Sequence, residues 1–151
     1  LLLMRFVFNK KVKILPEEPE IIIPAHVVAL QKLEQIKVEK LWQSGQIKLF
    51  YTQLTDVIRE YLDSAYDINA MELTTDEIVA LVKKNKDLDE IRNVLKEMLE
   101  LSDLVKFAKF IPLENENEAS VLNAFMIVEK TTKQPEVEEV EEKNETDKTS
   151  E

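Results

Sequence analysis

Residues 25–111 contain no proline and a single glycine, Gly45. Proline breaks helix interiors and glycine weakens them, so this stretch predicts helices joined by short links. Inside it, the run QIKLFYTQLTDVIREYLDSAY at residues 46–66 organises the rest. Ile47, Phe50, Tyr51, Leu54, Ile58, Tyr61, Leu62 and Ala65 recur at spacings of three and four, the period of one helix face. Lys48, Thr52, Asp56, Arg59 and Asp63 fall on the other side. An aromatic-rich stripe of several turns needs other elements to cover it. With 44% hydrophobic residues in 151, the chain can build one core with flexible ends.

Upstream, the chain opens Leu1-Leu2-Leu3-Met4-Arg5-Phe6-Val7-Phe8, followed by Lys10, Lys11 and Lys13. Eight mostly apolar residues cannot cross a bilayer, which needs about 20. Apolar-then-basic is the stop-transfer order, the reverse of a secretory signal. Residues 1–13 therefore read as the end of a truncated transmembrane helix, with Arg5, Lys10, Lys11 and Lys13 as its membrane-proximal basic flank. An N-terminal strand or a cloning remnant is the alternative. Residues 14–24, with three prolines, read as an extended linker. Ile21, Ile22 and Ile23 are too apolar to stay solvated and are expected to pack back on the domain.

A first helix is expected over residues 25–44, started by Pro24 and capped by Gly45, with Ala29, Leu30, Leu33, Ile36 and Leu41 facing in. The sequence LTTDEI at residues 73–78 carries a capping box, Thr74 with Glu77, inside a Leu73–Ile78 hydrophobic staple. Asp87 is expected to cap the next helix, whose stripe is Leu88, Ile91, Leu95, Met98, Leu99 and Leu101. Ser102-Asp103 marks a kink or a new start, after which Leu104, Phe107, Ala108 and Ile111 continue the stripe until Pro112. The string VKFAKFI also alternates like a strand. ENENE at residues 114–118 reads as a solvated loop. A last helix is expected over residues 119–130, with Val121, Leu122, Phe125 and Val128 facing in. Residues 132–151 form an acidic tail of disordered composition.

The chain carries a net charge of −10, of which residues 135–151 supply −6. Phosphate contacts need a basic surface, so nucleic-acid binding is disfavoured. There is no cysteine, and His26 is the only histidine, which leaves no thiol nucleophile, zinc motif or Ser–His–Asp set. His26 in a first turn reads as a surface or cap residue. One glycine excludes a Gly-rich phosphate loop. Residues 85–89 begin like a calcium loop, but Glu90 stands where glycine is needed and Lys96 where glutamate is needed. The Asn144 sequon lies in the tail and reads as chance. Tyr51, Tyr61 and Tyr66 read as core and rim residues. Leu49 and Val57 lie off the main stripe and mark either a second packing face or a partner groove.

The stretches PAHVVALQKLEQIK, EKLWQSGQIKLFYTQLTDVIREYL, INAMELTTDEIVALV and LSDLVKFAKFIP, then a last helix ending IVEKT, carry a resemblance over residues 24–131. They resemble the cytoplasmic helical domain of membrane-anchored proteins of Bat-type aerotolerance operons in Bacteroides-like bacteria, a domain of unknown function. A related order of features occurs in helical tails of membrane transglutaminase-like proteins. The Bat-type resemblance implies a bacterial inner-membrane anchor, a domain facing the cytoplasm, and partners such as a MoxR-type AAA+ ATPase or a von Willebrand A-domain protein. It implies no active site and no cofactor.

The expected architecture is all-α: a small orthogonal bundle of five or six helices over residues 25–131, after an extended linker and before the tail. The expected function is a membrane-anchored adaptor that binds a protein partner and is not an enzyme. The alternatives are an enzyme using surface carboxylates and a helix-turn-helix nucleic-acid binder. A compact apolar or basic patch favours the adaptor, and a deep pocket of converging carboxylates favours the enzyme.

Overall fold

The computed structural model describes residues 22–133. Among them five α-helices form an all-α bundle: α1 (Ala25–Glu39), α2 (Ile47–Tyr66), α3 (Thr75–Val82), α4 (Arg92–Phe107) and α5 (Glu114–Thr131). Single 3₁₀ turns at Ala70–Glu72 and Lys86–Leu88 flank α3. The proposed span remnant, its basic flank Arg5, Lys10, Lys11 and Lys13, most of the linker, and residues 134–151 lie outside the described residues.

Helix α2 is the hub, packing on α1, α4, α5 and the 70–72 turn. Its aromatic stripe disappears into the core: Phe50, Tyr51, Leu54, Ile58, Tyr61 and Leu62 are buried. Leu33, Ile78, Leu95 and Met98 close over it from the other helices. Burying such side chains contributes about 1.5–3 kcal/mol each, which is why the stripe dictates the assembly. Phe125, expected inside, is only half-buried at the edge of the core, as is Trp42.

The polar groups of α2 fasten its neighbours. The Arg59 guanidinium donates to the carbonyls of Ala70 (2.9 Å) and Leu73 (2.6 Å), and the Asp63 carboxylate accepts from the Ala70 N–H. These bonds pin the chain where it doubles back toward α3. The Thr74–Glu77 capping box is complete: Glu77 N–H donates to the Thr74 hydroxyl (3.3 Å), and Thr74 N–H to the Glu77 carboxylate (2.7 Å). Leu73 is half-buried against the core and Ile78 is fully buried, the burial a staple at these two positions requires.

Several boundaries differ from expectation. Helix α1 ends at Glu39, because Lys40 takes a left-handed conformation (φ 48°). One further turn follows. Gly45, at φ 85°, closes it as a Schellman motif: Gln46 N–H donates to Leu41 O (2.8 Å) and Gly45 N–H to Trp42 O (3.2 Å). Asn85, not Asp87, supplies the second cap, accepting from the Asp87 N–H, and α4 then starts at Arg92 without a side-chain cap. Ser102 produces no break; its buried hydroxyl donates to Tyr51 O (3.4 Å) inside a continuous α4.

The ENENE segment is not a loop but the opening turns of α5. Glutamate propagates helices well, and the Glu116 carboxylate accepts from the Leu113 N–H at 2.7 Å, satisfying an orphan donor at the favourable end of the helix dipole. The early start lets Asn117 and Ser120 face the core. Ala124 and Ile127 then turn inward and Leu122 outward. Ile22 and Ile23 do not pack back; Ile22 is 86% exposed.

Candidate interaction surfaces

Two surfaces stand out, and each follows from the local geometry. The first is an open cleft of about 320 Å³ between α1 and α5, lined by Ile36, Lys37, Trp42, Gln43, Phe50, Glu118, Val121 and Leu122. The break at Lys40 and the turn after it carry Trp42 to the mouth. Phe50, from α2, forms the floor. The phase of α5 is set by buried bonds from Tyr51 to Asn117 (2.9 Å) and Ser120 (3.2 Å), which leaves Leu122 on the rim at 69% exposure. Beside the cleft, Lys37 Nζ sits 5.4 Å from the Phe125 ring centroid. The lining is thus apolar, with one cation and one anion, Lys37 and Glu118, as its charges.

The second is the corner where α4 ends. The stripe continues as expected in sequence, but in space it faces out. Phe107 is 79% exposed and Ile111 73%, with Leu104, Phe110 and Leu113 also exposed. The helix stops because Lys109 adopts φ 54°, and Phe110 N–H turns back to Leu104 O at 3.2 Å. Val105 and Pro112 are buried and anchor the corner at its two ends. Lys106 Nζ lies 5.6 Å from the Phe107 ring centroid. Burial, aided by the Arg59 charge, lowers the Lys106 pKa despite the facing carboxylates of Asp103 and Asp56.

Leu49 and Val57 do not form one open face. Leu49 is 42% exposed, whereas Val57 is 6% exposed and packs in the core. His26 is partly exposed in the first turn of α1. Tyr51 and Tyr61 are core residues, with phenols bonded to Asn117 and Thr131, and Tyr66 is half-buried at the rim with its hydroxyl on Thr131 O. Burial raises the Tyr51 and Tyr66 pKa values. Among the described residues, no three His, Cys, Asp or Glu side chains converge as metal ligands would. None of the described helices is long and apolar enough to cross a membrane.

Sequence reasoning missed that Trp42 and Leu122 line one cleft. The usable signal was Glu116, three residues after Leu113, a spacing that lets a carboxylate reach back and open a helix there. No protein-family profile, no curated protein and no solved structure matches this chain.

Proposed function

We propose that this chain is a helical adaptor module that receives an apolar segment of a partner protein in the cleft between α1 and α5. The observation that carries the reading is Leu122, solvent-exposed on the rim of a cleft whose floor is Phe50 and whose mouth is Trp42. Aromatic and aliphatic side chains around a groove match the helix-in-groove mode of recognition, where an amphipathic partner segment inserts spaced apolar anchors. The module works by binding rather than by catalysis. In this reading its N-terminal segment holds it at the bacterial inner membrane, facing the cytoplasm. The partner classes are those the resemblance implies: a MoxR-type AAA+ ATPase or a von Willebrand A-domain protein.

The test is a pull-down with the full-length protein in detergent, comparing the wild type with Leu122→Glu. Leu122 is exposed, so the substitution spares the core. Loss of the captured ATPase or A-domain protein in the variant is expected. Equal capture by both overturns the cleft as the binding site. Orientation is read from a reporter fused after Glu151: alkaline phosphatase activity there overturns the cytoplasmic placement.

A further inference from the structure

We propose that the α4–α5 corner, residues 104–113, is a second and independent contact: it inserts shallowly into an anionic phospholipid surface. Three observations converge on this occupant. First, Leu104, Phe107, Phe110, Ile111 and Leu113 are all exposed within ten residues. Such a concentration of exposed apolar surface marks a contact site. Second, the five consecutive residues Phe107, Ala108, Lys109, Phe110 and Ile111 are all exposed, between anchors at Val105 and Pro112. A mostly apolar run exposed all round a tight corner is poorly matched to a protein groove, which accepts one face. A bilayer interface surrounds it. Third, the exposed charge is of one sign: no acid lies between Leu104 and Leu113, and Lys109 is exposed there, whereas Lys106 is largely buried and pairs with Asp103 at 4.0 Å. An exposed lysine beside phenylalanine, as Lys109 is beside Phe110, keeps its ammonium group at headgroup level while its stem lies on apolar surface.

Insertion must be shallow. Backbone groups of the non-helical residues after Phe107 have to stay at headgroup depth, where water still satisfies them. The contact is separate from the α1–α5 cleft, so one can fail without the other. It would hold the domain in a fixed orientation against the membrane, leaving the cleft to face a partner.

The chain has no cysteine, so a single Ile111→Cys substitution gives one labelling position. The full chain carrying an environment-sensitive fluorophore there is mixed with vesicles of phosphatidylethanolamine and phosphatidylglycerol, and separately with phosphatidylcholine vesicles. Glu97→Cys, exposed on α4, serves as the control position. The expected result is a blue shift, and quenching by brominated lipid, at position 111 with the anionic vesicles, with little change at position 97. Lys109→Gln should weaken the response about fivefold, and Phe107→Ser should abolish it with the thermal melt unchanged. Because the probe reports its own position, binding through the N-terminal apolar run does not imitate this result. Equal shifts at 111 and 97, or equal shifts with both vesicle types, overturn the proposal. A shift at 111 that needs no lipid and grows with protein concentration assigns the corner to a second copy of the chain and also overturns it.

Discussion

The Tyr51 hydroxyl in α2 donates to Oδ1 of Asn117 in α5 at 2.9 Å, joining residues 66 positions apart inside the core. Ser120 Oγ lies 3.2 Å from the Tyr51 hydroxyl. Removing one partner of a buried polar pair leaves the other unsatisfied, which costs about 1–3 kcal/mol. Tyr51→Phe, which leaves Asn117 Oδ1 without its donor, should destabilise by that amount in urea unfolding; Asn117→Ala should cost less, because the Tyr51 hydroxyl keeps Ser120, and the double variant should reveal a coupling of about 0.5–3 kcal/mol. Strict additivity would show that the bond does not join the helices energetically. Burial raises the Tyr51 pKa above that of the unfolded chain. Its contribution is therefore fully present below the unfolded phenol value and is lost as pH rises through the folded one. Tyr51→Phe should remove that part of the alkaline loss.

Leu54 and Ile58 are fully buried at the centre of α2. Truncating either to alanine leaves a cavity and should cost about 2–5 kcal/mol, read from the shift of the chemical denaturation midpoint. A loss below about 1 kcal/mol would show that the hub relaxes around the gap.

Thr74→Ala should lower stability by about 0.5–2 kcal/mol, because the α3 cap loses its acceptor. Its partner Glu77 has a lowered pKa, chiefly from the backbone and hydroxyl bonds of Thr74. A depressed carboxylate contributes stability above its unfolded pKa and loses it as pH falls through the folded value. Glu77→Gln should therefore be less sensitive to acid in that window than the wild type, measured by thermal melts across acidic pH.

Gly45 sits at φ 85° with open space around its Cα. Alanine there meets no neighbour, so any penalty arises from the backbone alone. Gly45→Ala is expected to lose about 1–2 kcal/mol. No change in melting temperature would mean that the turn moves to an ordinary conformation.

The core was legible because its signal is periodic. Leu33, Phe50, Leu54, Ile58, Ile78, Leu95 and Met98 are buried as their spacing predicts. The Thr74–Glu77 cap was legible because its chemistry is local. The surfaces were not. Periodicity shows that Leu104, Phe107 and Ile111 share a stripe, but not whether another element covers it. The outward turn of Leu122 depends on the start and phase of α5, which are set by Glu116 on Leu113 and by Asn117 on Tyr51. The first is a short polar reach-back and the second a long-range bond. Neither leaves an apolar pattern.

The 66-residue gap between Tyr51 and Asn117 also orders events during synthesis. At about 5–20 residues per second, the ribosome delivers Asn117 some 3–13 s after Tyr51. Through that interval α2 exists without α5, and the surface of α2 that α5 will cover, with the hydroxyls of Tyr51 and Tyr61, faces water or whatever binds it first. The nascent chain is thus at its most adhesive just before its last helix emerges, and a ribosome stalled before residue 114 would display that face for as long as the stall lasts.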